Sequence, residues 1–128
     1  MSVPEQRYEV LAEILATAVT EDPERADLAA REIAEATGRR IGAEGAAVGR
    51  GLPEALEDLG YRPRVLEEGR IRLENCPFRE LAVRHRSLVC ALNHTFLAGV
   101  LDGRAAGEAQ ARALAQNLGC CVEVVAKR

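Results

Sequence analysis

Four cysteines are the residues best suited to chemistry in this chain: Cys76, Cys90, Cys120 and Cys121. A thiolate is both a nucleophile and a soft-metal ligand. The intervals between them are 13, 29 and 0 residues, which is not the paired CxxC spacing of zinc ribbons and fingers. Cysteines can also serve as small buried hydrophobes, but the placement of these four favours ligation. Cys76 closes a predicted strand just before Pro77, Cys90 falls in the first turn of a predicted helix, and the Cys120-Cys121 pair opens the last predicted strand. A helix N-terminus lowers a thiol pKa and so favours the ligating thiolate. Adjacent residues of a regular strand point to opposite faces, so Cys120 and Cys121 do not easily reach one centre together. The site then has three thiolates, its fourth position open or filled by His85, His94 or an external ligand. Zinc accepts Cys3His and iron–sulfur clusters prefer four thiolates, so both remain open, as does redox sensing by the thiols themselves.

The other candidates are weaker. His94 follows Cys90 by four residues and shares its helix face, although Asn93-His94 also reads as a polar patch on a surface helix. His85 lies between helical segments. Neither histidine has a nucleophile beside it, and Ser87 reads as a helix cap. No HExxH, Walker or GxGxxG motif is present, and an enzyme is not expected. Leu73, Phe78, Leu92 and Phe96 form a candidate pocket for a small apolar ligand.

Several elements must position these residues. Ser2-Val3-Pro4-Glu5 is a capping-box pattern, and Val10, Leu11, Ile14, Leu15, Ala18 and Val19 form the apolar stripe of the helix it opens. Asp22-Pro23-Glu24 stops that helix and starts another, striped by Leu28, Ala29, Ile33, Ala36 and Ile41. Gly42 to Gly51 holds four glycines, which predict fraying or a bend. A short helix from Pro53 to Leu59 turns Leu52, Leu56 and Leu59 inward and ends at Gly60. Tyr61–Leu66 and Arg70–Leu73 alternate around Glu67-Glu68-Gly69, predicting a hairpin. Pro77 and Phe78 open a helical stretch through Ala82, and a longer helix from Ser87 to about Gly103 follows. Ala109–Gln116 alternates at period 2, Asn117-Leu118-Gly119 is turn-like, and Cys121–Val125 is rich in β-branched residues, so a second hairpin is preferred to helix-then-strand. The order predicts an α+β fold: N-terminal helices on a small antiparallel sheet of two hairpins, with a central helix between the hairpins. One domain spans 1–128, divided into a helical arm, 1–60, and an α/β core, 61–128.

With 128 residues, 48% of them hydrophobic, the chain can bury a single core. Its formal net charge of −3 gives the whole chain no electrostatic footprint for nucleic acid. Four aromatic residues are too few for a single-strand stacking platform. Ser87 to Leu101, the longest uncharged stretch, is broken by Asn93 and His94 and is shorter than the roughly 20 residues of a membrane span. The absence of a charged-then-apolar leader points to a cytoplasmic protein.

The run Glu74-Asn75-Cys76-Pro77-Phe78-Arg79-Glu80-Leu81-Ala82, with His85, Leu88-Val89-Cys90, Gly99 and Gly119-Cys120-Cys121-Val122, resembles a known group. It is similar to the C-terminal effector half of ArsR-like winged-helix transcriptional regulators, including Suf-operon repressors that carry an iron–sulfur cluster. Arg7-Tyr8-Glu9-Val10-Leu11-Ala12 resembles the helix that follows their DNA-binding domain. A more distant similarity runs to vinyl-reductase-type small-molecule-binding domains. The resemblance implies a sensor domain whose cofactor ligands are Cys76, Cys90 and the 120/121 pair, with His85 in reserve. A homodimer seamed by the first helix is expected, with DNA bound only through a winged-helix domain that is not in this chain.

Overall fold

The computed structural model describes residues 8–104, 109–113 and 122–126, without the side chains of Glu68, Ala113 and Ala126. The Ser2–Glu5 capping box, Cys120, Cys121 and the turn between the last two strands lie outside the described residues. The fold is α+β, with helices on a small antiparallel sheet. Its helices are α1 (Tyr8–Glu21), α2 (Ala26–Ala47), α3 (Leu52–Asp58), α4 (Arg79–Arg84) and α5 (Arg86–Gly103). The strands β1 (Pro63–Val65), β2 (Ile71–Leu73), β3 (Ala109–Ala113) and β4 (Val122–Ala126) form one sheet in the order β1-β2-β4-β3. Both predicted hairpins are present as antiparallel pairs: Arg64 faces Arg72 in the first, and Arg112 faces Glu123 in the second. The strands β2 and β4 join them, Ile71 facing Val124.

The largest contact in the fold is between α2 and α5, and glycine makes it possible. A Cβ on Gly38 would overlap the Phe96 carbonyl, and one on Gly42 the Val100 carbonyl. Reciprocally, a Cβ on Gly99 would overlap the Glu35 carbonyl, and one on Gly103 the Arg39 carbonyl. Residue numbers rise together along both helices, so the pair runs parallel, with a Gly-x3-Gly step on each side. Small residues at four-residue spacing let two helix backbones touch, bringing Cα–H groups onto facing carbonyl oxygens. At the solvent edge of this seam, Arg39 donates to Asp102 at 2.7 Å and also pairs with Glu35 on its own helix.

Several expectations are corrected. The glycines from Gly42 onward do not fray α2, which continues to Ala47; the turn comes at Gly49, at φ +75°. The face α2 buries is Ala30, Ala34, Gly38 and Gly42. Of the expected stripe, Ala29, Ile33 and Ile41 are only partly buried, while Leu28 and Ala36 are exposed. The deepest face carries the smallest side chains, which a search for large apolar residues passes over. The α1 stripe is buried in the chain's own core through Leu11, Ile14 and Ala18, with Val19 exposed. Ser87 lies inside α5, whose N-cap is His85.

Asn93, read as part of a surface patch, is buried and accepts a hydrogen bond from the Tyr61 hydroxyl. That bond ties the start of the first hairpin to the middle of α5 and satisfies polar groups that would be costly to leave unpaired. The short helix α3 matches its expected face, with Leu56 fully buried, and it ends at Gly60 with φ +96°. Arg50 holds the α2–α3 corner with a two-pronged contact to Asp58, both distances 2.9 Å.

The seam gives a direct expectation. Gly38→Ala or Gly99→Ala must push backbones apart and should each destabilise the protein by about 1–3 kcal/mol in denaturant unfolding. Gly45→Ala meets only the movable end of Arg104, at 3.3 Å, and should be neutral or stabilising by up to about 1 kcal/mol.

Candidate functional site

The site begins where β2 ends. From Leu73 the chain runs three residues to Cys76, which is buried. Asn75 fixes the approach: its amide nitrogen donates to the Gly60 carbonyl at 2.9 Å, and its side-chain oxygen accepts from the Arg62 backbone N–H. Cys76-Pro77-Phe78-Arg79 then forms a tight turn, closed by the Arg79 N–H donating to the Cys76 carbonyl at 3.1 Å. Proline at its second position is pre-set for such a turn. Helix α4 starts at once, so Cys76 is held between a strand end and a helix start.

Cys90 is half-buried and packs against the same core cluster that contains Cys76. Because α5 starts at Arg86, Cys90 is its fifth residue rather than part of its first turn. The pKa-lowering pull of a helix N-terminus fades over that first turn. One turn further on, His94 is half-buried, with Nε2 3.1 Å from the Ala111 carbonyl oxygen in β3. A carbonyl only accepts, so Nε2 carries the proton and only Nδ1 is left to accept or ligate. His94 therefore anchors α5 to the sheet.

Strand direction brings the separate pieces together. Since β2 and β4 are antiparallel with Arg72 facing Glu123, β4 begins at the sheet end where β2 leads into Cys76. Helix α5 runs ten residues from His94 to Arg104, about 15 Å. Five residue steps separate Arg104 from Ala109 and reach at most about 18 Å, which returns the chain to β3 only if α5 and β3 run antiparallel. One turn before His94, Cys90 is thus displaced about 6 Å toward the end of β3 and the start of β4. Cys76, Cys90 and the first residue of β4 share one end of the sheet.

Cys120 and Cys121, expected as further ligands, lie outside the described residues. His85, the reserve ligand, is exposed between α4 and α5. Leu73, Phe78, Leu92 and Phe96 are all buried in the cluster that contains Cys76. Among the described residues, no group of three or more His, Cys, Asp or Glu side chains is arranged to hold a metal ion.

Two neighbours of Cys76 were not legible in the sequence. The hydroxyl of Tyr8, on the first turn of α1, is shut off from solvent and has no well-formed hydrogen bond among the described residues. It lies close to Glu80 and Cys76. Burial, then the negative charge of Glu80, and to a smaller extent Cys76, raise its pKa above the ordinary tyrosine value. No local pattern marks Tyr8, because its partners are some 70 residues away in the chain.

Comparison with family models, with curated proteins and with solved structures finds no match. Among the described residues, no helix is long and apolar enough to cross a membrane.

A group whose pKa is raised on folding stabilises the fold below its unfolded pKa and loses that contribution as pH climbs through the folded value. Tyr8 should therefore ionise at a higher pH than a free tyrosine, whose pKa is about 10, and stability should fall at higher pH as it does so. Tyr8→Phe should flatten that alkaline loss, as read by denaturant unfolding across the tyrosine range. An unchanged alkaline profile would place the Tyr8 hydroxyl in water.

Proposed function

We propose that this chain is the sensing domain of a transcriptional regulator, in which a metal ion, an iron–sulfur cluster or a small ligand is taken up at the thiol-bearing end of the sheet. The observation that carries this reading is the placement of Cys76 and Cys90 at the sheet end where β4 begins. Cys121 directly precedes Val122, the first residue of β4, in the sequence. The first-choice ligands are Cys76, Cys90 and Cys121, with Cys120 fourth. A bound metal would fix their thiolates and add the strength of thiolate coordination to the fold.

The sensing mechanism is linkage. A guest that binds one arrangement of α5 and the sheet end more tightly shifts the population toward it. Helix α5 is locked to α2 along the glycine seam, and α2 packs on α1. A shift at the cysteines therefore has a stiff route to the N-terminal helices, next to which a winged-helix domain would be joined. The cytoplasmic, dimeric regulator implied by the resemblance belongs to this same reading. A second reading, a stand-alone module for a small apolar molecule, is favoured by the burial of Leu73, Phe78, Leu92 and Phe96 in the apolar cluster that contains Cys76.

Elemental analysis and visible absorption of anaerobically purified protein separate the two. The sensing reading expects bound zinc or iron in near-stoichiometric amount, lost in Cys76→Ser and in Cys90→Ser, with a chelator lowering the melting temperature. Metal-free, colourless protein whose melting temperature rises with an apolar ligand and ignores a chelator would replace it with the second reading.

A further inference from the structure

The sheet has a second face, and its charge is opposite to that of the chain. Ile71, Leu73, Val122 and Val124 face the helices and are buried, so the alternate residues face the other way. Register aligns four of these in one row across all four strands: Arg64, Arg72, Glu123 and Arg112. Arg62 and Arg70 stand two residues from Arg64 and Arg72, on the same face, and all five arginines are exposed. With Glu74 and Glu123, the face carries five arginines against two glutamates, in a chain whose formal net charge is −3.

Internal pairing leaves much of this charge unspent. Arg112 reaches the buried Glu123, and Arg64 lies 3.6 Å from Glu74. With described side chains, Arg62, Arg70 and Arg72 form no ion pair. Arg64 and Arg72 face each other directly across β1 and β2, an arrangement of like charges that destabilises a sheet unless an anion sits between them. By contrast, the exposed face of α1 carries Glu9, Glu13 and Glu21 and no basic residue.

We propose that this arginine-bearing sheet face binds the phosphate backbone of double-stranded DNA, without reading its sequence. The chemistry selects that occupant. Every cation on the face is a guanidinium, whose planar fork matches phosphate oxygens. Neighbouring strands set arginines about 4.8 Å apart and alternate residues set them about 6.6 Å apart, which gives a two-dimensional grid for a row of phosphates. The face has no aromatic residue on which unpaired bases could stack. Among the described residues its large apolar side chains are Val125, which is buried, and Leu66, which stands opposite Arg70 and is half-buried, so an acidic peptide would find little apolar anchorage. The whole-chain charge conceals this face because acidic helices outweigh it. The inference is independent of the cysteine site and stands or falls separately from it.

Fluorescence anisotropy of the 128-residue chain with a short, labelled, random-sequence DNA duplex is the test. Binding is expected at about 50 mM salt, with log K falling linearly in log salt at a slope of about −3, as for three to four neutralised phosphates. The triple variant Arg62→Gln, Arg64→Gln, Arg70→Gln leaves the Arg112–Glu123 pair intact and should lose at least about tenfold in affinity, with unchanged circular dichroism. Arg31→Gln, on exposed α2, should bind as the parent does. Absence of binding at low salt, a triple variant that binds as well as the parent, or poly-glutamate binding more tightly than the duplex would each overturn the proposal.

Discussion

The fold depends on two helix backbones being allowed to touch. Along α2 and α5, Gly38, Gly42, Gly99 and Gly103 each occupy a position where even a methyl group would overlap a facing main-chain carbonyl. Glycine inside a helix costs about 1 kcal/mol relative to alanine, so four of them weaken both helices taken alone. What offsets this is the length of closely packed backbone they create, in which many small dispersion contacts and Cα–H···O contacts accumulate. A seam of this kind has little freedom to slide, because ridges of side chains do not separate the two rods. The Arg39–Asp102 pair at its edge is solvent-exposed and adds at most a modest amount.

From that seam the rest of the architecture follows. Helix α5 offers its other side to the sheet, with Leu92, Phe96, Leu97 and Val100 buried and His94 bonded to the Ala111 carbonyl. The Tyr61–Asn93 hydrogen bond fixes the first hairpin to the same helix. Asn75 then sets the exit from β2, and the Cys76-Pro77 turn starts α4. Cys76 and Cys90 are thus placed by a chain of contacts that starts at the glycines.

Much of this was legible from local pattern. Both hairpins, α3 with its Leu56 face, the end of α5 at Gly103 and the α+β class all follow from periodicity and turn residues. What was misread shares one cause: the deciding partner is far away in sequence. Gly42 looks like a helix breaker until α5 is laid against it. Asn93 looks like a surface residue until Tyr61 reaches it from 32 positions earlier. Leu28 looks like core because it is large, while Ala30 and Ala34 are the residues buried. For the site, Cys76 and Cys90 were singled out by residue type, whereas their common position depends on strand register and on the direction of α5. Tyr8 and Glu80 beside Cys76 had no local signature at all.

Native-state hydrogen exchange tests the central claim, that the glycine seam makes α2 and α5 one cooperative unit. Amides from Ala34 to Gly42 and from Phe96 to Gly103 should share a single opening free energy, equal to that of global unfolding and falling by the same amount under mild denaturant. Exchange of α2 through its own lower-energy opening, with α5 and the sheet still protected, would contradict it.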